Sequence, residues 1–249
     1  MTTLVLLHAF PLSSWMYGPL RAELAGVPLV TPDFPGFGGA WTARGSEPSL
    51  EAYAESVDAV VSGIDDAVVL GGTSMGGYVT LAYAAAYAER LDDRVVGLAL
   101  LDTKASADPE AAKANRLRQA AAAEADGLGV ILDEVAPKLL GEATAASRRD
   151  LVAQVSAQVA EAPPAAVAYA LRAMASREDT LDVLRAVNGL PALVLRGAQD
   201  VLSSQSDVEA MAGALGCPVT TIAGAGHLAA LEQPAAVAAA LRALVEALD

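Results

Sequence analysis

The chain has 249 residues, enough for a large core, and carries a formal charge of −14 with a sequence pI near 4.5. Such a surface repels nucleic acid and anionic lipid, and Arg148-Arg149 reads as a solvated helix face rather than a basic binding patch. Hydrophobic residues make up 54% and mean hydropathy is +0.39, but the excess is mostly alanine, and charges such as Arg242 and Glu246 interrupt the long runs, which argues against a membrane span.

The start, Met1-Thr2-Thr3-Leu4, has no basic region, and its apolar run is short for a signal peptide. One cysteine, Cys217, excludes an internal disulfide and fits a reducing, cytoplasmic compartment. Followed by Pro218 at the start of an expected strand, Cys217 reads as a packed thiol.

Residues 3–8 form a first apolar strand, and Ala9-Phe10-Pro11 ends it. Trp15 to Leu24 reads as a helix capped by Ser13 or Ser14. A second strand spans Val27 to Thr31, and the Gly- and Pro-rich stretch 34–39 is a loop. Ser49 caps a helix through Ile64. A strand at 67–70, a Gly-rich turn and a helix at 78–90 follow, then a strand at 95–101. Alternation of strand and helix implies right-handed crossovers and a mostly parallel sheet covered on both faces. From about 105 to 187 the alternation stops. Helices are expected from Asp108 to Gly127 and over 128–140, 143–162, 164–175 and 179–187. The stretch 105–187 therefore reads as a helical insertion in a core made of 1–104 and 188–249. Strands at 192–196 and 219–222 and helices at 207–215 and 232–248 complete the chain.

Gly72-Thr73-Ser74-Met75-Gly76 is a G-x-S-x-G between a strand and a helix. That is the context of a nucleophile elbow, in which a strained turn lifts the serine hydroxyl above the sheet. Glycine is needed at 72 and 76 because a Cβ would collide with the adjoining strand and helix. The alternative is a Gly-rich turn with an incidental serine. A serine nucleophile needs a base, and the base an orienting carboxylate. The chain has two histidines, His8 and His227. His227 sits in a Gly-rich loop after the last strand, where loops gather at one end of the sheet, and is the candidate base. His8 is expected to brace loops near the site. The candidate acid is Asp200, which the Gly197-Ala198-Gln199 turn puts on a loop within reach of a histidine on the next strand's loop; Asp102, which also follows a strand, is the alternative, its other role being to brace the insertion through Thr103 and Ser106. Asp33 is accounted for by its turn, and Asp65 and Asp66 lie at the opposite end of the elbow strand. The backbone N–H groups of Phe10 and Met75 are the candidate oxyanion hole, since Pro11 cannot donate.

These segments together resemble an α/β-hydrolase, in the branch of small esterases, enol-lactonases and cofactor-free haloperoxidases. His8 to Ser14 resembles that group's oxyanion segment and Asp33 to Gly38 its next loop. Gly72 to Gly77 matches its elbow, Gly197 to Asp200 its acid loop, and Gly226-His227-Leu228 through Glu232-Gln233-Pro234 its histidine loop. The resemblance implies an α/β-hydrolase fold and makes 105–187 a cap. Three departures stand out. Ala9 replaces a usual glycine, Ser203 and Ser204 stand near a usual proline, and the chain starts at what would be the family's third strand, so edge strands are expected to be missing.

The expected activity is hydrolysis of a small carboxylic ester or lactone through an acyl-enzyme, with no metal or organic cofactor; two histidines and one cysteine are few for a usual zinc site. The alternatives are C–C bond hydrolysis or perhydrolase chemistry on the same triad, and a non-catalytic ligand-binding homologue. A dehalogenase is disfavoured because that relative carries aspartate in place of Ser74. The expected partner is a small ester or lactone, with neither nucleic acid nor membrane, and a homo-oligomer stays open. Most aromatic residues, Trp41 among them, precede the insertion, so the insertion should offer aliphatic walls. Trp15, Leu139, Leu140, Leu171 and Met174 are the expected pocket residues.

Overall fold

The computed structural model describes residues 1–39, 47–91 and 93–248, so Trp41 lies outside the described residues. Six strands grow from the short apolar runs: β1 (Thr2–Leu7), β2 (Leu29–Val30), β3 (Ala67–Thr73), β4 (Val95–Leu101), β5 (Ala192–Gly197) and β6 (Val219–Ile222). They lie in the order β2-β1-β3-β4-β5-β6, and every described pair is parallel. Every residue of β1 is buried, as are the last six of β3. A parallel sheet covered on both faces requires such continuous apolar runs.

Helices α1 (Gly18–Glu23), α2 (Leu50–Ser62) and α3 (Met75–Ala86) belong to the first half of the sheet, and α10 (Gln205–Leu215), α11 (Ala229–Glu232) and α12 (Pro234–Glu246) to the second. Ser49 caps α2 by accepting from Ala52 N–H at 3.1 Å. Between β4 and β5 run α4 (Glu110–Asp126), α5 (Gly129–Glu134), α6 (Glu142–Ser147), α7 (Arg149–Glu161), α8 (Pro164–Ala175) and α9 (Leu181–Ala186), with no strand among the described residues. This segment buries side chains of its own. Helix α4 packs on α8, where Ala120, Ala123, Val167 and Leu171 are fully buried. Burial of each large aliphatic side chain there contributes about 1.5–3 kcal/mol. Thr180 N–H donates to Ala105 O at 3.0 Å and draws the two ends of the segment together.

The structure departs from the sequence expectations at identifiable residues. The helix expected from Trp15 begins as a 3₁₀ turn, Ser14–Tyr17; the α-helix starts only at Gly18, with Pro19 in its first turn, where a missing N–H costs nothing. The helix expected over 232–248 is two, broken at Gln233, because Pro234 cannot continue α11 but can open α12. Pro137 similarly leaves only a 3₁₀ turn after α5, and the stretch 143–162 breaks at Arg148. Strand β3 extends through Gly71 and Gly72, read above as part of the turn. These glycines sit in register between Leu6 and Leu7 of β1 and Ala99 and Leu100 of β4. Among the described residues, no helix is long and apolar enough to cross a membrane.

Candidate active site

The parallel register brings the carboxyl ends of β1, β3, β4 and β5 together: Leu7 lies opposite Gly72, Thr73 opposite Leu101, and Leu101 opposite Leu195. Segments leaving those ends carry the candidate residues, as expected where ligands bind open parallel sheets. Ser74 stands between β3 and α3 with φ 56° and ψ −114°, a strained backbone for a non-glycine residue costing about 1–3 kcal/mol. Hydrogen bonds hold it there. Its N–H donates to Leu101 O at 3.0 Å, and its carbonyl accepts from Thr103 Oγ1 at 2.8 Å. A Cβ on Gly72 would collide with the backbone of Gly76, and one on Gly76 with the carbonyl of Leu7. The elbow is thus packed directly against the end of β1.

That packing places Met75 N–H beside the segment that contains Phe10. Neither the Phe10 nor the Met75 N–H is bonded to another described residue. The Phe10–Pro11 peptide is cis, and Tyr17 Oη donates to Leu7 O at 2.8 Å behind it. His8 is wholly buried. Its Nδ1 donates to Ala9 O at 3.0 Å and its Nε2 accepts from Phe34 N–H at 3.0 Å. Burial lowers its pKa to about 4. Both nitrogens are therefore engaged in holding two loops.

His227 Nδ1 donates to both carboxylate oxygens of Asp200, at 3.0 and 2.9 Å, and both side chains are almost fully buried. Asp200 also accepts from Leu202 N–H at 2.8 Å, Ser203 N–H at 3.2 Å and Ser203 Oγ. Burial works to raise its pKa, but the His227 charge and these hydrogen bonds outweigh it and hold the carboxyl below its usual value. The Asp200 turn and the histidine loop are joined as backbone too, Gln199 N–H donating to Ala225 O at 2.7 Å. With Nδ1 donating to the carboxylate, the neutral ring presents Nε2 as an acceptor.

Asp102 points elsewhere. Its carboxylate accepts from Gly197 N–H at 2.7 Å and Ala229 N–H at 3.2 Å, and no hydrogen bond joins it to His227. It pins the end of β5 to the start of α11, a different contact from the bracing of the insertion expected through Thr103 and Ser106. Thr103 holds Ser74 and Ser106 holds Asp207 at 2.9 Å. Burial, then the charge of Asp200, push Asp102 well above the usual carboxylate range against its two N–H donors.

Ser74, His227 and Phe10 line one cavity of about 190 Å³. No hydrogen bond joins Ser74 Oγ to His227 among the described residues; such contacts are commonly loose until substrate binds. Leu139, Leu171 and Met174 line the cavity as well. Two of the expected pocket residues do not. Trp15 faces a separate cavity with Pro11, Phe37 and Ala162. Leu140 is buried behind the histidine loop, where the chain turns at Gly141 and its N–H donates to Glu232 Oε2 at 2.9 Å. The aliphatic walls expected of the insertion are only part of the lining. Lys104, Asn115, Arg116, Gln119, Glu134 and Lys138 share the lining. Ala112, Asn115, Arg116 and Gln119 stand at i, i+3, i+4 and i+7 on α4, one helical face turned to the cavity. That spacing was visible in the sequence, but its polar content disguised it as a solvated face.

Ser203 and Glu232 were also overlooked as supports. Glu232 Oε1 accepts from Gly226 N–H at 2.8 Å, while its other oxygen holds Gly141. It therefore fastens the histidine loop to the helical segment. Among the described residues no group of three or more His, Cys, Asp or Glu is placed to hold a metal ion.

A parallel sheet with a strained serine after its third strand, and a carboxylate–imidazole pair from the loops after the fifth and sixth, defines an α/β-hydrolase. The chain belongs to the alpha/beta hydrolase family, whose sequence profile matches residues 4–240. A thermophilic esterase from Thermogutta terrifontis, solved with malate bound, is 36% identical with a TM-score of 0.92, over 100% of this chain and 90% of that one. The enol-lactonase from Burkholderia xenovorans LB400 is 19% identical with a TM-score of 0.85, over 99% and 92%. The bromoperoxidase from Bacillus anthracis is 19% identical with a TM-score of 0.82, over 99% and 92%. The latter two are likenesses of fold. No curated protein matches the sequence.

Proposed function

We propose that this hydrolase cleaves small carboxylic esters or lactones through an acyl-enzyme on Ser74. The observation that carries the reading is the buried Asp200–His227 pair opening, with the strained Ser74, onto one cavity. In this scheme His227 Nε2 takes the Ser74 proton as Oγ attacks the carbonyl. Asp200 holds the imidazole tautomer and stabilises the imidazolium that forms. The free N–H groups of Phe10 and Met75 receive the charge that develops on the carbonyl oxygen. His227 then gives its proton to the leaving alcohol, activates a water against the acyl-enzyme, and returns the proton to Ser74 as the acid leaves. The scheme calls on no metal and no organic cofactor. The stretch 105–187 acts as the cap, closing the cavity over Ser74 and selecting the substrate. The esterase at 36% identity supports ester hydrolysis, and the likeness of fold to the enol-lactonase is consistent with lactones as well.

A fluorophosphonate probe should label the protein once, at Ser74, and a series of esters and lactones graded in acyl length and ring size should reveal turnover. Ser74→Ala should remain folded, resist labelling and lose activity. Retention of more than about a hundredth of wild-type kcat in that variant would end the nucleophile assignment.

A further inference from the structure

The cavity beside Ser74 is lined by three cations, Lys104, Arg116 and Lys138, and one anion, Glu134, in a protein whose formal charge is −14. Their local partners leave this positive excess uncancelled. Asp108, 4% exposed, sits beneath the wall and takes three cations at once. Lys104 Nζ lies 2.8 Å from Oδ1, Arg177 Nη2 2.9 Å from Oδ1, and Arg116 Nε 2.6 Å from Oδ2. Burial would raise the Asp108 pKa, but Arg116, Lys104 and Arg177 bring it down to about 2. At Asp108 one negative charge thus meets three positive ones, and of these Lys104 also feels the Asp207 carboxylate.

Arg116 spends Nε on Asp108 and turns Nη1 to Met174 Sδ at 3.5 Å. Its Nη2 has no hydrogen bond among the described residues. Glu134 is already occupied, its Oε2 accepting from Gln119 Nε2 at 2.9 Å and from Arg118 Nη2. Lys138 makes no ion pair within 4 Å among the described residues, although its charge bears on Glu134 four residues before it. Charge of one sign in a walled cleft focuses the field and draws ligands of the opposite sign.

We propose that the preferred substrates carry, besides the scissile ester or lactone carbonyl, a free carboxylate that Lys138 and Arg116 receive. This rests on the esterase reading above and names the substrate class of the same site. The small volume favours acids of a few carbons, and Asn115 and Gln119 supply uncharged donors at the same wall. The unbonded Nη2 of Arg116 can donate a charge-assisted hydrogen bond to a carboxylate.

The test compares the monomethyl ester of glutaric acid with its uncharged isostere, methyl 5-amino-5-oxopentanoate, by pH-stat. The anion should have a kcat/KM about two- to fivefold higher at low salt, the upper scale of one ion pair at an exposed side chain, and the advantage should shrink between about 20 mM and 0.5 M salt. Lys138→Gln and Arg116→Gln should each lower the anion-to-neutral ratio. Lys113→Gln, which removes the half-buried partner of exposed Glu110 outside the cavity, should not. A ratio of one or less in the wild type overturns the proposal, as does an equal loss of both substrates in Lys138→Gln. Because Lys138 is exposed, that variant should fold even if Arg116→Gln, which strips a partner from buried Asp108, does not.

Glutarate binding to Ser74→Ala protein, measured by calorimetry, separates the two levels of inference. Binding that Lys138→Gln weakens supports the anion site even if no ester is cleaved, in which case the esterase reading fails alone. Turnover of the neutral ester without glutarate binding sinks the anion site and leaves the esterase reading intact.

Discussion

Replacing Asp200 by Asn should lower kcat by about three to four orders of magnitude with little loss of stability, whereas Asp102→Asn should do the reverse. The Asp200 carboxylate meets His227 Nδ1 at 2.9 and 3.0 Å, with both side chains almost fully buried. When the imidazole takes the serine proton, a unit charge forms beside that carboxylate. At about 4 Å and an effective dielectric near 20, the attraction is roughly 4 kcal/mol, or about 10³ in rate. The amide removes it. An Asn nitrogen facing Nδ1 also favours the tautomer with its proton on Nε2, which cannot accept from Ser74, and this carries the loss toward the ~10⁴ known for the serine-protease template.

Asp102 has a left-handed φ of 47°, a conformation that Asn adopts readily, so its substitution adds little backbone strain. Its two oxygens receive Gly197 and Ala229 N–H groups, and an amide must turn its own N–H₂ toward one of them. A buried unmatched donor costs about 1–3 kcal/mol, which lowers Tm by roughly 2–12 °C in a chain of this size. The assays are initial rates on the best ester found and thermal unfolding by circular dichroism. Asp200→Asn within tenfold of wild type, with Asp102→Asn down a thousandfold at comparable Tm, would make Asp102 the acid and Asp200 a loop brace.

Ser203→Ala should cut kcat by about tenfold and shift the kcat/KM pH profile, because Asp200 loses a charge-assisted hydrogen bond worth about 1.5–3 kcal/mol; an unchanged profile at unchanged Tm would deny Ser203 a positioning role. Glu232→Gln should lower Tm by about 3–6 °C and raise KM, since an amide can accept from only one of Gly226 and Gly141 well; wild-type Tm and KM would show that the tie is idle. Nitrogen-detected NMR of the two histidines should find His8 neutral and Nδ1-protonated down to about pH 4–5. With its pKa lowered from 6.5 to about 4, the unfolded chain binds more protons in between, so about 3 kcal/mol of stability is lost as pH falls through that window. Titration of His8 near 6.5 would contradict this.

The sheet was legible because parallel strands buried on both faces leave continuous apolar runs, and β4 coincides with its run, Val95–Leu101. The convergence of Ser74, Asp200 and His227 was legible for a related reason. In an alternating α/β chain every candidate that follows a strand emerges at the same end of the sheet, so their juxtaposition needs no knowledge of side-chain packing. The turn at Gly197-Ala198-Gln199 favoured Asp200 over Asp102, but the partner of each carboxylate did need it. Both follow strands, and only the folded chain sets Asp200 against His227 and Asp102 against two backbone N–H groups. The helical segment was read least well, because its chemistry lies in which face of α4 turns inward. Ala112, Asn115, Arg116 and Gln119 have the spacing of a buried stripe but the composition of a solvated one. A polar stripe at helical spacing has two physical meanings, water or a charged ligand. What separates them is a second element across the gap, supplied here by Lys104 before α4, and Glu134 and Lys138 after it. Charges that distant in sequence meet only through the fold, so an average property such as the net −14 gives no hint that the cavity wall has the opposite sign.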